Sequence, residues 1–402
     1  MKDSRQAVLK AASRPADTLS RWTRAPLLFA VFLDMTGFGM VIPDVQTRLE
    51  SFGARGWAIG AILSSYFLAQ IAASPLWGRL SDRTGRKPIL VVCGLLSAAS
   101  LLVYAFAHSL PFVLFSRVLA GLAAANVVVA QAYIADAAPD EAARTKSLGR
   151  VGAVITAGLI LGPAVGGWLA ERGGNVLLGF VAAGASGLGA LWIALAVPHV
   201  PPVRETGTAV RRLTTDLSLL REVPRLRPLF VLASAAFFAL ACLEGTFGRL
   251  IRLKLGYGPS EFGLIFGYES LLGVLVQSVF LGWVTARLTP PRLLAGAYVL
   301  QSVGLGLTPF APHLAALFLL STLYATGSGL AGPTVNALCS AATPAARQGE
   351  MFGLLQAARS FGFLLGPLLG SILFDWHAEA PYLLAGAVLL LVAVFAPRAL
   401  PR

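Results

Sequence analysis

The sequence predicts an all-α membrane protein of twelve transmembrane helices, set as two six-helix, pseudo-symmetric bundles around a central cavity. Three observations predict it. Of the 402 residues, 56% are hydrophobic and only 13% are charged, against roughly 25% charged in a soluble globular chain. Apolar runs of about 20 residues, the length that crosses a roughly 30 Å hydrocarbon core, follow one another from Ala25 to Ala396. Glycine and proline landmarks of the first half recur in the second at one fixed offset. Mean hydropathy is +0.73, and the runs lack the two-residue alternation of outer-membrane strands.

The elements follow in order. A polar, basic tail over residues 1–24 carries Lys2, Arg5, Lys10, Arg14, Arg21 and Arg24. The apolar run behind it is too long for a signal-peptide core, so the first span is expected to stay uncleaved. Spans are expected at 25–45, 57–78, 89–108, 111–135, 148–170 and 175–197, which form a first bundle over 25–197. A polar linker over 198–227 holds Pro201-Pro202, Arg211-Arg212 and Arg225-Leu226-Arg227. Spans at 228–250, 260–285, 292–310, 313–337, 350–373 and 380–396 form a second bundle over 228–396, before a tail at 397–402. With the N-terminus inside, 24 of the 32 Lys and Arg fall in cytoplasmic segments, 6 in external loops and 2 within spans. Such a bias orients the chain with both termini and the linker in the cytoplasm.

The halves are related. Gly162-Pro163 and Gly166 recur as Gly366-Pro367 and Gly370, an offset of 204 that Gly149 with Gly353 and Gly78 with Gly282 also keep. Pro139 and Pro344 differ from it by one. Two parallel copies facing each other can rock about a site at the bilayer midplane.

The net charge of +13 sits between the apolar spans, where it reads as topology signal and anionic-lipid contact. No aromatic-basic patch accompanies it, so membrane lipid is an expected partner and nucleic acid is not. Cys93, Cys242 and Cys339 lie far apart inside spans and read as small packing residues. The four histidines fall at or beyond span ends. No metal spacing and no phosphate-binding loop is present, and no cofactor is expected.

Between the second and third spans stands Gly78-Arg79-Leu80-Ser81-Asp82-Arg83-Thr84-Gly85-Arg86-Lys87-Pro88. Gly78 permits close helix approach and Gly85 a tight turn. Asp82 is placed to meet a helix N-terminus or a basic residue. The first span reads Asp34-x-x-Gly37-x-Gly39-x-x-x-Pro43. The fourth begins Arg117-x-x-x-Gly121 and ends Ala132-Tyr133-Ile134-Ala135-Asp136, and the fifth carries Gly158-x-x-x-Gly162-Pro163-x-x-Gly166-Gly167. In these four motifs and their order the chain resembles the major facilitator superfamily, within it the tetracycline-exporter branch of the drug/proton antiporters. The resemblance covers nearly the whole chain and implies secondary transport, with proton-coupled export of small hydrophobic or amphipathic molecules across a bacterial inner membrane by a monomer. A symporter or facilitator importing a metabolite is the alternative within the class, and a non-transporting membrane enzyme or scaffold the alternative outside it. No nucleophile–base pair or metal cluster supports an enzyme.

The chain also departs from the branch. Asp44-Val45-Gln46 stands where a second proline is usual, and the second copy of the loop, Gly282-Trp283-Val284-Thr285-Ala286-Arg287, has Ala286 in place of the aspartate. Tetracycline is therefore not carried over as substrate. Any latch made by the loop falls to the first copy, through Gly78, Asp82, Arg83, Gly85, Arg86 and Lys87, with Asp136 at the end of the fourth span. Gly158, Gly162, Gly166 and Gly167 beside Pro163 give a smooth packing face. It serves ordinary close packing or, as the resemblance implies, control of leakage and of the conformational equilibrium.

A charge inside a span is costly and marks a site by default. Asp34 lies roughly 13 Å into the first span at 1.5 Å per residue, placed as a proton carrier or as the partner of a basic residue. Glu244 and Glu269 bind protons or a cationic substrate, or else neutralise Arg249, Arg252 and Lys254. Arg117 is near enough to the outer face to snorkel, and the resemblance implies a part in coupling. Arg359, with Gln356 on a similar face, needs a carboxylate or an anionic substrate group. Tyr66, Gln70, Asn126, Gln131, Gln277, Tyr324 and Asn336 are cavity-lining or helix–helix bonding candidates. The charge bias predicts that a cysteine at Ser218 in intact cells resists an impermeant thiol reagent, and labelling as strong as at an external loop would reverse the orientation.

Overall fold

The computed structural model describes residues 21–136, 141–198, 218–344 and 347–399. Most of the expected linker, both tails beyond these limits and Pro139 lie outside the described residues. Helices account for the described architecture: α1 (Arg21–Ser51), α2 (Trp57–Thr84), α3 (Arg86–Ala105), and α4, which runs Leu110–Ala123 and continues as Asn126–Asp136. Glu141–Ala196 is one continuous helical run. Its apolar part, 50 residues long, would measure about 75 Å if straight, over twice the hydrocarbon core. Gly174, at φ 62° and ψ −168°, turns it back on itself into α5 (141–173) and α6 (175–196). The second half comprises α7 (Leu226–Leu255) and α8 (Pro259–Leu275), which passes through a π-turn, Val276–Phe280, into Leu281–Thr285. It closes with α9 (Pro290–Leu307), α10 (Leu314–Ala342), α11 (Gln348–Trp376) and α12 (Ala380–Ala399). Among the described residues, eleven apolar helical runs, one folded back at Gly174, give twelve crossings.

Local chemistry sets the ends. Gly85, at φ 92°, separates α2 from α3, and Gly256, at φ 70°, stops α7. Pro259 opens α8 while the Glu261 carboxylate accepts from the Gly258 amide at 2.8 Å. The first span runs farther than expected. Arg48, read from the sequence as an external-loop charge, is buried in α1 because backbone carbonyls surround its guanidinium: it donates to Tyr104 O at 2.6 Å, to Ala105 O at 3.3 Å and to Ala107 O.

The glycine face of α5 packs onto α1 at backbone distance. A Cβ at Gly158 would sit 2.9 Å from Phe32 O, at Gly162 2.7 Å from Thr36 O, and at Gly166 2.1 Å from Met40 O. The seam repeats between α11 and α7, where a Cβ at Gly362 would lie 2.6 Å from the Phe238 amide and one at Gly366 2.9 Å from the Cys242 amide. The cores behind the seams differ. The second bundle has one continuous apolar core from Leu226 to Ala396. The first is split into a cluster around Met40, Leu49 and Tyr104 and another around Leu27, Val31 and Cys93, with Asp34 in the gap.

The bundles meet toward the face opposite the termini. Glycines on α2, α5 and α8 again allow backbone contact: a Cβ at Gly60 would be 2.6 Å from Pro367 O, at Gly167 2.1 Å from Pro259 O, and at Gly263 2.2 Å from Pro163 O. Toward the terminal face no such contact is made by Gly149, Gly152, Gly273 or Gly353, which have nothing within 4 Å of an added Cβ. Gly166→Ala should therefore cost about 1–3 kcal/mol by overpacking and lower the melting temperature in detergent. Gly152→Ala, with open space and better helix propensity, should leave it unchanged or raise it. Equal melting temperatures for the two variants would contradict the seam.

Candidate functional site

A pocket lies where α1, α2, α4, α7 and α11 converge. Its walls are Phe38, Ile42, Val45, Leu63, Tyr66 and Phe67 of the first bundle with Gly245, Phe363 and Pro367 of the second, and it holds two charges, Arg117 and Glu244. The aromatic rings form a chain across the junction: Phe38 to Tyr66 at 4.9 Å, Tyr66 to Phe67 at 4.9 Å, and Phe67 stacked on Phe363 at 4.7 Å. Arg359 lies over Phe363 at 5.5 Å and Phe237 at 5.8 Å. It is exposed although it sits in mid-helix, and Glu244 is within its electrostatic reach. Glu269 accepts from the Ser321 hydroxyl at 2.6 Å and is close enough to interact with Glu244 and Tyr324.

Asp34 stands behind this pocket, inside the first bundle, with 5% of its surface exposed. Asn126 of α4 donates to its Oδ2 at 3.2 Å and Ser186 of α6 to its Oδ1 at 3.0 Å, while Ser97 of α3 also faces it. No cation forms an ion pair with it among the described residues, so the expected pairing with a basic residue is not what holds it. Tyr66 lies among Asp34, Arg117 and Arg359 and links this polar layer to the pocket wall. At the offset of 204, the counterpart of Asp34 is Phe238, which is why only the first bundle has a split core.

Arg117 does not snorkel to the outer face as its position suggested. It is buried, with its guanidinium 5.1 Å from the Tyr104 ring centre. Arg48 also lies over that ring, at 4.5 Å, and the Tyr104 hydroxyl donates to Asp44 at 2.5 Å. Asn175, with its amide oriented to satisfy both neighbours, donates to Asp44 and accepts from Arg48 Nε at 3.2 Å each. Asp44, a departure from the branch motif, is thus the acid that closes the outer end of the first bundle.

The expectation that Glu244 and Glu269 neutralise the outer cations is corrected. Arg249 is held by Glu50 of α1 and Asp375 of α11, each at 2.8 Å, with its guanidinium 4.3 Å from the Phe374 ring. Arg252 reaches Glu50 at 3.8 Å. Lys254 pairs with Glu379, which holds that carboxyl below its usual range. Carboxylates nearer in space, from other helices, take these roles. Glu50 therefore ties one bundle to the other. Gln46 reinforces the tie, donating to Glu244 O and accepting from the Gly248 amide at 3.1 Å. Glu171 adds a bond from the Ser260 amide at 3.1 Å at the positive end of α8. Together these contacts seal the pocket from the face opposite the termini.

The other candidates sit apart. Gln70 and Gln131 are half-buried, while Gln277, Asn336 and Gln356 are exposed. Asp82 pairs with Arg86 within its own turn. Arg83 is exposed and Lys87 half-buried, and Asp136 ends α4 at the edge of the described residues. Sequence reading missed Phe38, Phe67, Phe237 and Phe363, because aromatic residues are common on lipid-facing surfaces, and missed Gln46, Glu50 and Asp375, because nothing local marks a partner some 200 residues away.

Two pseudo-symmetric bundles with an aromatic, charged pocket at their junction, sealed toward one face, define a multi-pass secondary transporter. The sequence profile of the Major Facilitator Superfamily matches residues 27–252 and 229–402. The chain belongs to that superfamily, and it is a transporter of small molecules rather than an enzyme. It is 28% identical over 373 residues to the quinolone resistance protein NorA of Staphylococcus aureus (strain COL), covering 91% of this chain and 95% of that one. It is 26% identical over 375 residues to multidrug resistance protein 2 of Bacillus subtilis (strain 168), covering 90% and 92%. Among solved structures its fold is similar to that of the human organic anion transporter MFSD10, with TM-score 0.68 and 21% identity over 94% of this chain and 99% of that one. The inward-facing, unoccupied bacterial homolog of the lysosomal transporter Spinster shares it too, with TM-score 0.72 and 14% identity over 96% of each chain.

Removing Glu50 leaves Arg249 only Asp375. Partial exposure of the cluster limits the cost to about 1–2 kcal/mol, on the order of tenfold in the opening equilibrium. In Glu50→Gln, a cysteine at Phe363 should react about tenfold faster with an impermeant maleimide added on the side opposite the termini. An unchanged rate would show that the cluster does not hold the seal.

Proposed function

We propose that this chain is a proton-coupled exporter of small hydrophobic or amphipathic compounds, set in a bacterial cytoplasmic membrane with both termini inside. On that orientation the state described above is open to the cytoplasm and sealed outside, the state in which an exporter loads its cargo. One observation carries the reading. The pocket at the bundle junction is built from aromatic faces that tolerate many shapes, and its charged groups lie within the membrane, where each must do work. The similarity to two bacterial drug-resistance proteins over nine-tenths of their length supports the same cargo class.

Asp34 supplies the proton-carrying group. It is a buried carboxyl held only by neutral donors, so no fixed cation keeps it ionised. Tyr66 connects it to the pocket wall. When the inner ends close and the Arg249 cluster opens, Asp34 and the pocket exchange sides together. The loop from Gly78 to Pro88, whose Asp82 and Arg86 are paired within one turn in this state, would latch the inner face in the other.

Asp34→Asn keeps shape and hydrogen bonding but removes ionisation. In vesicles it should abolish accumulation driven by a pH gradient while leaving binding of a fluorescent lipophilic cation within a few-fold. Normal pumping by the variant against a gradient would move the coupling site to Glu244 or Glu269.

A further inference from the structure

Arg117 reaches the pocket wall from α4 and is only 6% exposed. Its Nε has no hydrogen-bond partner, and Nη2 reaches only the Ser116 hydroxyl, at 3.4 Å. The acid within its electrostatic reach is Asp44, with which it forms no ion pair among the described residues. Tyr104, fully buried at the end of α3, touches both. Its hydroxyl donates to Asp44 at 2.5 Å, and the Arg117 guanidinium lies over its ring, 5.1 Å from the centre. We propose that Tyr104 is a positioning residue: by occupying Asp44 it stops this carboxylate from capturing Arg117, and so leaves the guanidinium at the pocket wall. This rests on the reading of the pocket as the substrate site.

Arg48 is the rival for that carboxylate, and it is committed elsewhere. Its Nη1 donates to Tyr104 O at 2.6 Å, its Nη2 to Ala105 O at 3.3 Å and to Ala107 O, and its Nε to the Asn175 amide oxygen at 3.2 Å. Without the Tyr104 hydroxyl, Asp44 keeps only the Asn175 amide, and a buried carboxylate short of donors is costly. Arg117 Nε is the unused buried donor that can make up the loss, and a bond between two charged groups is stronger than one to a neutral donor. Capture would draw a positive charge off the pocket wall without changing the charge of the protein. The field in the pocket is therefore set from the outer end of the first bundle, by Asp44, Tyr104 and Asn175, none of which lines it.

Tetraphenylphosphonium and tetraphenylborate, ions of like shape and opposite charge, test this by calorimetric titration of the purified protein. Each ion is compared with itself across variants, so their different partitioning into detergent cancels. Tyr104→Phe keeps the ring and the net charge. It should bind the phosphonium about threefold or more tightly and the borate about threefold or more weakly. Asp44→Asn alone leaves Arg117 in place without its acid and should move both ions the other way. Tyr104→Phe added to Asp44→Asn should then do nothing further. The inference is overturned if Tyr104→Phe weakens both ions alike, which is a plain structural role, or if Asp44→Asn changes neither affinity. It is overturned equally if the Tyr104→Phe shift persists in the Asp44→Asn background. Phe363→Ala separates these failures from failure of the pocket. If it weakens both ions while the other variants shift neither, the substrate pocket stands and only the positioning is wrong. If it leaves both unchanged, or if neither ion binds the unsubstituted protein, the pocket reading falls and takes this inference with it.

Discussion

The rest of the structure depends on the backbone contact between α1 and α5 and on its copy between α7 and α11. In lipid, apolar side chains gain little from facing one another rather than acyl chains, so close approach at small residues carries helix association. Gly158, Gly162 and Gly166 let α5 lie on the α1 backbone, and Gly362 and Gly366 do the same for α11 on α7. Each seam joins the first helix of a bundle to the fifth and packs each bundle as one body. The pocket lies at the junction between the two bodies.

The junction has two kinds of closure. One is steric: Gly60, Gly167 and Gly263 bring α2 against α11 and α5 against α8. The other is ionic: Glu50 crosses to Arg249, whose second partner is Asp375. Steric contact alone gives shape without a switch, since it weakens gradually as the bundles part. A partly buried ion pair gives the junction two distinct states, bonded or hydrated. The duplicated fold also carries an unduplicated device, the polar layer at Asp34, whose counterpart is Phe238. One bundle therefore holds the candidate proton site while the other keeps a continuous apolar core.

Much of this was legible in the sequence. Twelve crossings follow from run length and hydropathy, and the two seams follow from Gly162-Pro163 and Gly366-Pro367 at one offset, because helix packing in membranes is written in small residues. That Asp34, Arg117, Glu244, Glu269 and Arg359 would be unusual also follows from their position in apolar spans. Their partners do not. Arg249 had nearby acids in sequence at Glu244 and Glu261, yet it takes Glu50 and Asp375 from other helices, since azimuth around a helix and inter-helix register decide pairing. Arg48 looked like a loop charge, because nothing local announces that three carbonyls at the end of α3 would solvate it. The aromatic wall was invisible for a related reason: Phe67 and Phe363 differ from lipid-facing phenylalanines only in the direction they face.

The central claim is that two rigid bundles exchange an outer closure for an inner one about the pocket. Pulsed electron resonance distances between spin labels test it most directly. One pair sits at Phe52 and Tyr257 near the ionic cluster, a second at Gly152 and Gly353 toward the terminal face, and a third at Phe52 and Phe106 within the first bundle. On shifting pH across the working range, the Phe52–Tyr257 distance should lengthen in the same fraction of molecules in which Gly152–Gly353 shortens, with Phe52–Phe106 constant. Lengthening of both cross-bundle distances together, or a change within the first bundle, would contradict it.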